Sequence, residues 1–142
     1  MKRFICALLI CLLALPAAAM AEFMEESQIG EAIMIYEDYD GQHVEQTVAD
    51  AAELLELEGM LMRAAQNPAE LQGNTMNCTL FCMMKNGDIF DFAIATDGSN
   101  FITDMNTDMT YTFEAEDLER FWEIFSEVKA VMGFNASEIW NW

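Results

Sequence analysis

The sequence predicts an α+β domain: a curved antiparallel sheet with two helices packed on one face, in the order β-β-α-β-β-β-β-α. Three observations carry this expectation. Asn86-Gly87 and Asp97-Gly98 each lie between apolar runs, and such dipeptides mark hairpin turns because they tolerate positive φ. Met109, Tyr111 and Phe113 alternate with Thr110 and Thr112, the period of a half-buried strand. Two longer stretches, one ending before Asn67-Pro68 and one before Gly133, carry apolar residues at helical spacing.

Met1-Lys2-Arg3, the apolar run Phe4 to Leu15, Pro16 and the small-x-small triplet Ala19-Met20-Ala21 have the order of a bacterial-style secretory signal peptide. Its apolar run is short beside the ~20 residues of a membrane span. Cleavage after Ala21 predicts a secreted or extracytoplasmic chain of 121 residues, which suits one domain. That chain holds four basic residues against 25 acidic ones, a net charge of −21. Such a charge repels nucleic acid and anionic membrane surfaces, and it attracts cations or basic proteins.

Residues 22–30 read as an acidic N-terminal arm, residues 31–134 as the α+β domain and residues 135–142 as an aromatic tail ending in Trp140 and Trp142. Glu31 to Glu37 reads as a strand, Asp38 to Gly41 as a turn, and Gln42 to Thr47 as a return strand. Thr47 or Asp50 caps a helix to about Gln66. Its stripe is Val48, Ala51, Ala52, Leu55, Gly59 and Met62, widened by Leu54, Leu57 and Leu61, with Glu53, Glu56 and Glu58 on the wet side. Residues 68–74 read as a loop.

A two-residue Asn86-Gly87 turn sets Lys85 opposite Asp88, Met83 opposite Phe90, Phe81 opposite Phe92 and Thr79 opposite Ile94. Those last six residues would then form the core face. Cys78, Cys82 and Asp91 would share the other, half-buried face, with Asp91 opposite Cys82. The Asp97-Gly98 turn places Phe101 opposite Ile94 and starts a strand to Met105. A final helix spans Ala115 to Met132, its stripe formed by Leu118, Phe121, Trp122, Phe125, Val128 and Met132, with Gly133 as C-cap.

Cys78 and Cys82 lie four apart on one strand, ~13 Å at ~3.3 Å per residue. A disulfide needs Cα atoms within ~7 Å, so the two cannot bond to each other. They read as small buried hydrophobes, or as partners in an intermolecular bond. Asp104, Asn106 and Asp108 fill the first, third and fifth positions of a calcium loop, but Met109 and Ala115 stand where Gly and Glu are needed. An acidic turn is the simpler reading. Asp91 beside Cys82 suggests a raised carboxyl pKa, yet no base or oxyanion donor accompanies it. His43, the lone histidine, reads as an exposed strand residue.

Trp140 and Trp142 either fold back onto the domain or anchor a partner. Asn77-Cys-Thr79 and Asn135-Ala-Ser137 match the short glycosylation pattern, which arises easily by chance. The residues therefore predict no catalytic, cofactor or metal set. They favour a non-enzymatic domain that binds an extracellular protein, peptide or envelope component, with a carboxylate-based or cation-dependent enzyme as the alternative.

The helix start near Thr47, Lys85-Asn-Gly87, Ala95-Thr-Asp-Gly98 and Tyr111-Thr-Phe113 leading into the last helix carry a family resemblance over residues 31–132. In these the chain resembles the small secreted or lipoprotein-borne α+β domains of unknown role in Gram-positive bacteria. The β-α-β-β-β-β-α part of the order is similar to the half-unit of the TATA-box-binding-protein fold. A shared fold would not transfer DNA binding, and the charge opposes it.

Overall fold

The computed structural model describes residues 26–132. The stretch expected to be a signal peptide, residues 22–25 of the expected acidic arm, the expected Gly133 cap and the tail through Trp140 and Trp142 lie outside these residues. Among the described residues the fold is α+β, with a seven-stranded antiparallel sheet and three helices. The elements are β1 (Ile29–Glu37), β2 (His43–Val48), α1 (Ala51–Ala64), β3 (Pro68–Ala69), β4 (Cys78–Met84), β5 (Ile89–Ile94), β6 (Phe101–Asp104), β7 (Met109–Thr112), α2 (Ala115–Ile124) and α3 (Ser126–Val131). The sheet order is β2-β1-β4-β5-β6-β7-β3. The first strand pair thus joins the main sheet, with β1 between β2 and β4.

Both hairpin registers differ from expectation by one residue. Cys78 pairs with Ile94, Leu80 with Phe92, Phe81 with Asp91 and Cys82 with Phe90. The cause is the turn. Gly87 N–H donates to the Met84 carbonyl (2.9 Å) and Met84 N–H to the Asp88 carbonyl (2.8 Å), so the loop holds three residues. Gly87 takes φ +92 while Asn86 stays out of the positive-φ region, which excludes the two-residue turn that needs both.

One residue of slip inverts β4. Cys78, Leu80 and Cys82 now enter the core beside Ile94, and Phe90 and Phe92 pack against that core. Thr79, Phe81, Met83 and Asp91 belong to the opposite face. Cys82 and Asp91 therefore do not share a face, and the expected thiol–carboxylate pair does not exist. In the second hairpin Ile94 pairs with Ile102, which displaces Phe101 to the face away from the core. A Cβ at position 87 would meet nothing within 4 Å, so only the backbone opposes a side chain there. Gly87→Ala should cost about 1–2 kcal/mol in chemical denaturation, the penalty of left-handed backbone for an L-residue.

Asp50, not Thr47, caps α1, its carboxylate accepting from Glu53 N–H at 3.0 Å. The buried face of α1 is Leu54, Leu57, Glu58, Met60 and Ala64, rather than the stripe through Ala51, Ala52 and Leu55. Apolar residues surround most of this helix, so spacing alone supports several stripes. Glu58 is thereby moved from the wet side to the interior, where it is 8% exposed. Residues 68–74 are not all loop: Pro68 and Ala69 pair with Tyr111 and Thr110 as an edge strand.

The expected last helix is broken. Phe125 (φ −96, ψ 46) separates α2 from α3, while Leu118, Phe121, Trp122, Phe125 and Val128 are all buried as the spacing implies. One continuous core joins these residues to Leu54 and Leu57 of α1 and to Ala32, Met34, Cys78 and Leu80 of the sheet. Arg63 of α1 binds Asp117 of α2 through two hydrogen bonds (2.7 and 2.9 Å), fixing the two helices against each other.

Candidate functional site

A cleft of about 110 Å³ lies between the C-terminal half of α1 and strands β4 to β7. Leu61, Met62 and Ala65 supply the helix side. Met84, Phe90, Phe92 and Ile102 supply the sheet side. These residues converge because β5 places Phe90 and Phe92 two apart on one face. Phe92 stands opposite Leu80, so the row continues into the core.

Two carboxylates interrupt this apolar wall. Glu58 comes from α1 and Asp104 from the end of β6, and they are 8% and 7% exposed. Glu58 Oε2 accepts from the Ser27 hydroxyl (2.5 Å) and from Gln28 N–H (2.7 Å). It therefore holds the start of β1 at the cleft, where Ile29 forms part of the lining. Asp104 Oδ1 accepts from Asn106 N–H at 2.8 Å. The four ion pairs among the described residues are Arg63–Asp117, Lys85–Glu26, Arg120–Glu56 and Arg120–Glu123, so no lysine or arginine neutralises Glu58 or Asp104.

Cys82 also lines the cleft. Burial, and then the nearby Glu58 carboxylate, push its thiol up to about 12. Burial alone pushes Cys78 to about 12. Both cysteines are free and buried, which makes them poor nucleophiles at neutral pH. Cys78 Sγ lies 3.6 Å from Met132 Sδ, beside the end of α3.

The other residues singled out in the sequence lie apart from the cleft or serve local structure. Asp91 accepts from Asn106 Nδ2 at 3.0 Å and so ties β5 to the β6–β7 turn. Asp108 adopts φ +58 in that turn, and its N–H donates to the Asp104 carbonyl at 2.8 Å. Within the partial calcium pattern, Asp104 thus uses a carboxylate oxygen and its carbonyl to close the turn. Among the described residues, no group of three His, Cys, Asp or Glu side chains is placed to hold a metal ion. His43 is exposed at the start of the edge strand β2. A second cleft, about 330 Å³ between α1 and α2, is walled by Arg63, Asp117 and Arg120, whose charges are already paired.

Sequence reasoning missed Glu58, Phe90 and Phe92 as one site. The available signal was spacing: Glu58 falls four residues after Leu54 and three before Leu61, on the line those leucines draw along the helix. Comparison with family models, with curated proteins and with solved structures finds no match to this chain.

Proposed function

We propose that this protein is a non-enzymatic binding domain working outside the cytoplasm, and that it takes an apolar group of a protein, peptide or envelope component into the α1–sheet cleft. In this reading residues 1–21 are a leader removed after Ala21, and a curved sheet with its helices on one face is the scaffold. The observation that carries the proposal is the cleft itself, an apolar concavity with two buried polar groups, built on a helix and strands rather than on loops. Ligand sites commonly have this make-up, mostly apolar with a few placed polar groups. A buried, protonated thiol as the nearest nucleophile supports binding over covalent catalysis.

The two carboxylates give the enzymatic alternative its one point of support. Against it, Glu58 Oε2 is committed to Ser27 and Gln28, which suits a structural carboxylate better than a proton carrier.

Methionine methyl groups provide a direct test, because Met62 and Met84 line the cleft while Met34 is buried elsewhere in the core and Met105 is 55% exposed. In methyl-labelled protein, millimolar isoamyl alcohol should shift the Met62 and Met84 resonances and leave Met34 and Met105 in place. If neither cleft methionine responds, the cleft is not a binding site.

A further inference from the structure

The cleft's charge specifies its ligand more closely than its shape does. Of the four lysines and arginines among the described residues, Arg63, Lys85 and Arg120 are paired with other acids, and Lys129 lies on α3. The fold thus surrounds Glu58 and Asp104 with apolar walls and supplies no cation to either. Buried carboxylates are normally paired with a positive group, because desolvation penalises an isolated charge. An apolar cavity of about 150 Å³ takes a benzene molecule. A cleft of about 110 Å³ therefore suits a single aliphatic side chain.

We infer that the cleft selects a basic peptide segment, seating one aliphatic side chain between α1 and β5 while a neighbouring lysine or arginine faces Glu58 and Asp104. This inference rests on the binding reading of the same cleft. A chain with 25 acidic and six basic residues also draws such a segment toward it from a distance, which raises the association rate. The long-range field is screened by salt, whereas contacts to the two buried carboxylates are screened much less. An amide or hydroxyl partner would leave the carboxylate charges uncompensated, and an acidic partner would add to them.

The test uses three capped tripeptides that share a central leucine: Lys-Leu-Lys, Ser-Leu-Ser and Glu-Leu-Glu. Each is titrated into the purified chain with the Met62 and Met84 methyl resonances as the readout. The lysine peptide should bind about 10-fold more tightly than the serine peptide, equivalent to about 1.4 kcal/mol, and the glutamate peptide should not bind. About half of that preference or more should persist in 0.5 M salt. E58Q and D104N should each remove most of the preference, read as the ratio of the lysine-peptide to the serine-peptide affinity in the same variant. Either substitution keeps an acceptor oxygen for its backbone donor, and two independent variants guard against one that folds poorly.

Equal binding of the lysine and serine peptides would overturn the inference while leaving the cleft a binding site. A preference that survives both substitutions, or vanishes entirely in salt, would assign it to the overall charge and overturn the inference as well. Isoamylamine matching the lysine peptide would identify a small amine, rather than a peptide, as the ligand, and would also overturn it. No shift with any peptide or apolar fragment would remove both the inference and the binding reading.

Discussion

Phe121→Ala should destabilise the protein by about 3–5 kcal/mol, the usual cost of emptying a buried phenylalanine site. Phe121 is fully buried, and its ring centroid lies 5.0 Å from Phe113, 5.1 Å from Trp122 and 5.1 Å from Phe125. Removing it takes the shared partner from three aromatic contacts at once. Those contacts also join Phe113, just past β7, to α2 and to Phe125 at the break in the helix. Domains of this size are stable by about 5–15 kcal/mol, so the variant would lie near the threshold for folding. Urea unfolding followed by tryptophan fluorescence gives the number, and a loss below about 1 kcal/mol would mean that the cluster is not central to the core.

Alkaline pH should unfold the protein well before pH 12, and the two cysteines should account for much of the loss. Their thiols are pushed from an ordinary value of 9.0 to about 12 by burial. The folded state therefore holds its protons over a range where the unfolded chain releases them. Stability from this source is complete below about pH 8 and declines as pH rises through 9 toward 12. Each thiol accounts for a loss on the order of 4 kcal/mol by the far end of that range. The melting temperature should be flat from pH 6 to 8 and fall above pH 9, and a C78A/C82A variant should fall less steeply. The same burial predicts thiol alkylation at pH 8 roughly 10³-fold slower than in the unfolded protein, from thiolate fraction alone. Prompt labelling of the native chain would contradict the placement of both cysteines.

Inverted β4 explains why these thiols are buried at all, and it marks where sequence reasoning stops. Element order was legible because turn and cap chemistry is local: Asn86-Gly87, Asp97-Gly98, Asp50 and the Met109–Phe113 alternation each constrain a few residues. Register was not. Asn-Gly serves a two-residue turn and equally the last two positions of a three-residue loop, and period-2 alternation converts that single residue into a change of face. Both faces of β4 are apolar enough, with Phe81 and Met83 on one and Leu80 and Cys82 on the other, for composition to allow either. The break at Phe125 leaves no mark in the spacing, because the buried stripe runs through it without interruption.

The cleft was less legible still, because it arises from the way α1 crosses the sheet. Spacing puts Glu58 in line with Leu54 and Leu61, but Glu53 also falls four residues before Leu57, so spacing alone does not single Glu58 out. Glu53 is half-buried and Glu56 meets the Arg120 side chain. Only the tertiary contact with Ser27 and Gln28, some 30 residues earlier, distinguishes it.

The short strand β3 bears on how this molecule behaves in a crowd. A sheet edge is a template on which another chain can add a strand, and long flat edges invite fibrils. Here the flank of β7 is covered by Pro68–Ala69, two residues long and opening with a proline. Proline has no N–H to offer, so that margin of the sheet presents at most one amide from this strand to a neighbour. Polymerisation through the β3 margin is therefore blocked by the shape of the backbone, without any contribution from the acidic surface. The protection should persist in high salt, where charge repulsion between molecules no longer keeps them apart.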